Sequence, residues 1–137
     1  MAVKTTMRWL PGGNRFISTD STGHSVVMST SKENIGMKPS ELILSALAGC
    51  SSVDVVDILE KKHTPLSHLE VQVSAEQDID PPWTFRKIHM KFLAKGEGLT
   101  EKNLAQAIKL SEQKYCSVAA TLRGVAEITT SFEILED

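Results

Sequence analysis

The stretch Glu41–Leu59, ELILSALAGCSSVDVVDIL, limits what the chain can fold into more than any other part of it. It reads as a helix, yet its apolar residues keep to no single face. Leu42, Leu44, Leu47, Val53, Val56 and Ile58 are distributed around the axis. A surface helix carries one apolar stripe, whereas a helix that is apolar all round is buried in a core or spans a membrane. Glu41, Asp54 and Asp57 interrupt the run, which argues against a membrane span. The helix is therefore expected at the centre of a core, with Cys50 near its own middle.

The flanks give the helix its ends. Pro39 suits a first turn and Glu41 suits the positive end of the helix dipole. Glu60-Lys61-Lys62-His63 puts cations where the dipole favours them, and Pro65 closes the segment. A helix from Pro39 to Lys61 or Lys62 would be roughly 33 Å long at ~1.5 Å per residue.

Around this helix the pattern changes to strands. Val3–Leu10 predicts a strand turned by Pro11-Gly12-Gly13, and Arg15–Thr19 and Ser25–Thr30 predict two more. Further on, Leu69, Val71, Val73 and Ala75 alternate with polar residues, as do Ile88, Met90 and Phe92, and again Ala126, Ile128, Thr130, Phe132 and Ile134. Such alternation predicts half-buried strands and antiparallel sheets. Thr100 predicts the N-cap of a helix carrying Leu104 and Ile108; Ser111–Cys116 interrupts it, and a helix from Cys116 to Leu122 follows, ended by Gly124. Three strands, a long helix, two strands, a broken helix and a strand make an α+β fold. At 137 residues the chain suits a single domain spanning 1–137. One sheet face can cover only one side of the long helix, so a second copy of the chain is expected to cover the rest, giving a tight homodimer.

A net charge of −2 with lysines and arginines spread along the chain points away from nucleic acid and from anionic membranes. MAVKTTMRWL has no apolar core or cleavage site of a signal peptide, so the expected compartment is the cytoplasm, where two cysteines are reduced or cycling rather than a permanent staple. The four histidines, at 24, 63, 68 and 89, have no paired ligand spacing; neither a metal nor another cofactor is expected. Gly96-Glu97-Gly98 lacks a P-loop lysine, and Ser51 and Ser52 lack the context of a nucleophilic serine. Asp54 and Asp57 read as a solvated stripe at a dimer edge.

Cys50 and Cys116 have no C-x-x-C spacing. Each has a bland reading, as a small buried hydrophobe, and a chemical one, as a thiolate nucleophile. Apolar burial raises a thiol pKa. Cys50, in mid-helix, has no helix start of its own, so its ionisation is expected to need a cation. Arg15, after the Pro-Gly-Gly-Asn turn, and Arg123, at the end of the helix following Cys116, could supply one; Arg8 and Arg86 are the other two arginines.

The residues around both cysteines resemble a known family. KPSELILSALAGCSSVDVVDIL is similar to the central-helix signature of the OsmC/Ohr family, roughly N-P-E-[EQ]-L, an Ala-rich stretch and A-C. KYCSVAATLRG resembles that family's V-C-P-Y-S-x-A-T-R-G, with an arginine seven residues after the cysteine, and LPGGNR resembles its G-G-R turn. The whole pattern looks closest to the YhfA-like branch. The resemblance implies an intertwined homodimer, sheets wrapped around two long central helices. It implies a thiol-dependent peroxidase reducing small organic hydroperoxides, with Cys50 as peroxidatic thiol, Cys116 as resolving thiol and Arg15 stabilising the thiolate and the leaving oxygen. An external dithiol would return the enzyme to its reduced state. Met37, Trp83 and Phe85 are the expected apolar mouth for the substrate. The family's glutamate after the N-P proline is Ser40 here, Glu41 lying about 100° further round a helix, and the Pro-Tyr of the second motif is missing. These departures leave a second expectation open: a non-catalytic dimer that binds a small apolar or thiol ligand, or a redox sensor.

Overall fold

A computed structural model describes residues 1–136. They form two compact units, one of Met1–Ile43 and one of the residues from Leu44 on. In the first unit β1 (Thr6–Trp9), β2 (Arg15–Thr19) and β3 (Ser25–Ser29) form an antiparallel sheet in that order. The turn between β1 and β2 depends on Gly12, which adopts φ +116°, a backbone conformation other residues rarely take.

The long helix α1 (Pro39–Lys61) has the ends that its sequence dictates. In the second unit it buries a single row at every fourth residue: Leu47, Ser51, Val55 and Leu59. Residues four apart stack on one face of a helix, so this row is a ridge. Val53 and Val56, on other faces, remain 61% and 40% exposed, so the chain buries one side only of a helix that is apolar all round. By length and hydropathy α1 is the one helix among the described residues that would suffice to cross a membrane. Its ridge instead packs into the core of the second unit.

That core rests on the sheet of β4 (His68–Gln77), β5 (Phe85–Lys95) and β6 (Glu127–Ile134), with β5 in the middle. Ile88, Met90, Phe92 and Ala94 of β5 are all at most 1% exposed and meet Leu47, Val55 and Leu59 of α1 in one cluster. Each large side chain so buried contributes about 1.5–3 kcal/mol relative to exposure. Leu104, Ala107 and Ile108 of α2 (Glu101–Leu110) join the same cluster. The Thr100 side chain caps α2 by accepting the Asn103 amide at 3.1 Å.

Alternation of wet and dry residues suggests antiparallel pairing throughout. β4 and β5 do pair that way, but β5 and β6 run parallel, from Lys87 opposite Glu127 to Ala94 opposite Ile134. Alternation reports that one face is buried and is blind to strand direction. Direction is set by the connection: a parallel pair needs a crossover of a dozen residues or more. Here α2, a π-helical turn at Ser111–Tyr115 and α3 (Ser117–Leu122) supply it.

Candidate active site

The site is built where the crossover returns to α1. Around Ser111–Tyr115 the backbone leaves the α-helical pattern: the Cys116 amide donates to the Ser111 carbonyl at 2.8 Å, five residues back rather than four. In an α-helix that amide would go to Glu112. The Glu112 carbonyl instead accepts the guanidinium of Arg123. Single π-turns are uncommon and need outside support. Arg123, seven residues after Cys116, supplies part of it and so acts as a clamp on the turn that presents Cys116.

Cys116 leaves the turn in an extended conformation, φ −78° and ψ 106°, and becomes the N-cap of α3. Its sulfur accepts the Ala119 amide at 3.3 Å and the residue is 3% exposed. The start of α3 lies against Cys50, which is half-buried on α1. Ser117 Oγ is 4.0 Å from Cys50 Sγ.

The two thiols ionise very differently. Burial by itself pushes the Cys50 thiol up. The Val118 amide, the Cys116 thiol, and the hydroxyl and amide of Ser117 all donate to its sulfur, and the net result is a pKa below the ordinary thiol value. Cys116 is pushed up to about 11, first by burial and then by Cys50, to which it donates and whose negative charge it would meet; the amides of Ala119 and Val118 oppose this only in part. Of the pair, Cys50 is therefore the thiol that ionises first, beside a Cys116 that keeps its proton. The sequence suggests that a mid-helix Cys50 can be activated only by a cation. The donors that the crossover brings to Cys50 are backbone amides, a hydroxyl and a thiol from the segment 116–118.

A correction concerns Asp54, expected as part of a solvated stripe. Asp54 Oδ2 accepts the hydroxyl of Ser111 at 2.8 Å, and Ser111 Oγ lies 3.1 Å from Ser51 Oγ. Ser111 and Ser51 are 0% and 2% exposed and Asp54 is half-buried, so the carboxylate is tied to the interior rather than wholly solvated. Asp57 is exposed, as expected. Apart from Asp54 itself, whose charge interrupts an apolar helix, the sequence gives no sign of this cluster.

The remaining candidates are spread more widely. Arg15 lies in the first unit, where its side chain is bound to its own turn: Nη2 donates to the Pro11 carbonyl at 2.7 Å and Nε to the Leu10 carbonyl at 3.4 Å. Met37, also in the first unit, is 41% exposed and hydrogen-bonds through its backbone to Val27 and Ser29. Trp83 stands 55% exposed at positive φ (54°) in the loop between β4 and β5. Phe85, at the start of β5, packs against the core.

Comparison with known proteins places this arrangement. The family model described as OsmC-like protein matches residues 31–131, a span that includes both cysteines. The chain belongs to the OsmC-like family. Protein YhfA of Escherichia coli (strain K12) is 32% identical over 133 residues, 97% of this chain and 98% of the relative. Among solved structures, a hypothetical protein from Aquifex aeolicus VF5 superposes with a TM-score of 0.88 at 30% identity, covering 100% of this chain and 99% of its own. The organic hydroperoxide resistance protein OhrB of Bacillus subtilis superposes with a TM-score of 0.64 at 16% identity, covering 97% and 98%, a likeness of fold alone. The OsmC-like α+β fold expected from the sequence is thus the fold observed.

Proposed function

We propose that this OsmC-like chain is a thiol-dependent peroxidase that reduces small organic hydroperoxides through a two-cysteine cycle. The observation that carries the reading is the convergence of donors from Cys116, Ser117 and Val118 on the Cys50 sulfur. A thiolate is the form that attacks a peroxide, and Cys50, half-buried, ionises below the ordinary thiol value with Cys116 among the groups that lower it. A fold relative that is named an organic hydroperoxide resistance protein is in keeping with it.

In the cycle the Cys50 thiolate attacks one peroxide oxygen. An S–O bond forms, the O–O bond breaks and the alcohol leaves with a proton, so that Cys50 becomes a sulfenic acid and the peroxide is reduced. Cys116 then attacks the Cys50 sulfur, its thiol proton goes to the departing hydroxyl, and water leaves as the disulfide forms. An external dithiol reduces the disulfide by exchange. Arg15, preset by its own turn, is assigned to the leaving oxygen, and Met37, Trp83 and Phe85 to the apolar mouth. The working unit is a homodimer of single OsmC-like domains in the cytoplasm, in which the partner covers the exposed valines of α1. Val53→Asp should then convert the dimer to monomer in light scattering; an unchanged mass would remove that face from the interface.

A second reading, a redox sensor or ligand-binding dimer, draws on two observations. Ser40 stands where the resembling family has glutamate, and Arg15 spends two donors on its own turn. Stopped-flow oxidation of the reduced protein by cumene hydroperoxide and by hydrogen peroxide separates the readings. Fast oxidation selective for the organic peroxide is expected; oxidation no faster than that of a free thiol would overturn the peroxidase reading.

A further inference from the structure

Ser111 holds the π-turn at both ends of its chemistry. Its hydroxyl, fully buried, donates to Asp54, and its carbonyl accepts the amide of Cys116. Asp54 is four residues after Cys50, so both side chains stand on one face of α1, a turn apart. A continuous line of hydrogen bonds thus runs from the helix bearing one thiol, through Asp54 and Ser111, to the backbone of the other thiol. A hydroxyl bond to a carboxylate is among the stronger kinds, and its loss would leave the Ser111 hydroxyl only the longer, neutral contact with Ser51 Oγ at 3.1 Å.

We propose that Asp54, acting through Ser111, is the positioning residue for disulfide closure: it fixes the π-turn so that the Cys116 sulfur is held over Cys50. Asp54 touches neither sulfur and takes no proton in the reaction. It sets the effective concentration of one thiol at the other. Without the Asp54 bond the turn is free to rewind toward an α-helical pattern, in which Cys116 would be rotated away. The Arg123–Glu112 contact clamps the far side of the same turn and leaves the α1 side to Asp54. The inference deepens the two-cysteine reading and rests on it only for its biological use.

The test measures the Cys50–Cys116 disulfide in the intact protein at equilibrium with a glutathione redox buffer, a reaction that needs no peroxide. Asp54→Ala is expected to lower the effective concentration of the pair by about tenfold or more, the weight of a charge-assisted hydrogen bond. Asp54→Asn keeps an acceptor for Ser111 and is expected to stay close to wild type. A merely structural role would not produce that rescue. Ser111→Ala, which removes the donor and little volume, should match Asp54→Ala and serves if the latter fails to fold. With cumene hydroperoxide the same variants should slow closure of the sulfenic acid relative to its formation. Wild-type potentials in Asp54→Ala and Ser111→Ala would overturn the proposal. Equal losses in Asp54→Asn and Asp54→Ala would overturn it too. A wild-type protein inert to peroxide but showing the expected order of potentials would overturn the peroxidase reading and leave this one standing.

Discussion

Cys50 and Cys116 are the same residue type in one hydrogen-bonded pair, and the fold treats them in opposite ways. Cys50 lies in the middle of a helix, where its own backbone gives it nothing, yet it ionises more readily than an ordinary thiol. Cys116 lies at a helix start, caps it through Ala119, and still holds its proton to about pH 11. Position along a helix is therefore a poor guide to thiol reactivity. What decides is which sulfur the neighbouring donors reach. Burial pushes both thiols up; the amides of Ser117 and Val118 and the thiol of Cys116 together outweigh it at Cys50, whereas the amides of Ala119 and Val118 do not outweigh it at Cys116.

The contrast can be broken outright by removing either member. Cys50→Ser should abolish rapid oxidation by cumene hydroperoxide in stopped-flow. Cys116→Ser should preserve it and leave a sulfenic acid that a dione reagent traps. Mass spectrometry after alkylation across a pH series tests the contrast itself. Because the thiolate is the reactive form, each rate rises with pH and levels off above the pKa. Cys50 should reach half its maximum below the pH of a free thiol, and Cys116 only near pH 11. In Cys50→Ser, the Cys116 midpoint should fall, since it no longer faces a neighbouring negative charge.

Smaller changes test single donors. Ser117→Pro strips both an amide and a hydroxyl from Cys50 while keeping the fold: proline is favoured at the first position of a helix, and Cys116 already has the extended backbone a residue before proline needs. Its Cys50 midpoint should rise, lowering the thiolate fraction and with it the oxidation rate at pH 7. Cys116→Ala removes the thiol donor and should raise the Cys50 midpoint by less than that. Ser117→Ala removes only the hydroxyl at 4.0 Å, a long contact, and should produce the smallest rise of the three. A fall in the midpoint in any of them would contradict the donor arrangement.

Much of this architecture is legible in the residues. Pro39 and Lys61 mark α1, Thr100 marks the start of α2, and alternation marks β4, β5 and β6, because each signal acts within a few residues. The two cysteines are legible by their motifs. What stays hidden depends on long-range contacts. The parallel pairing of β5 with β6 is decided by the crossover and not by either strand. The meeting of Cys50 with Ser117 spans 67 residues, and that of Asp54 with Ser111 spans 57. Nothing in Ser-Glu-Gln-Lys-Tyr announces a π-turn, since that turn is held by Arg123 and Asp54 from outside.

The π-turn also gives the chain a fragile reading frame. It accommodates one residue more than an α-helix would between Ser111 and Cys116. Deleting one residue of 112–115 would cost the fold little locally, since α2 could run on as a regular helix toward α3 with the Cys116 amide still on the Ser111 carbonyl. Inserting one instead adds about 100° of rotation that the turn has no slack to absorb, so the thiol that follows would be swung off the line to α1. A one-residue insertion in this short stretch should therefore separate foldability from disulfide chemistry, leaving a stable protein whose second cysteine no longer answers the first.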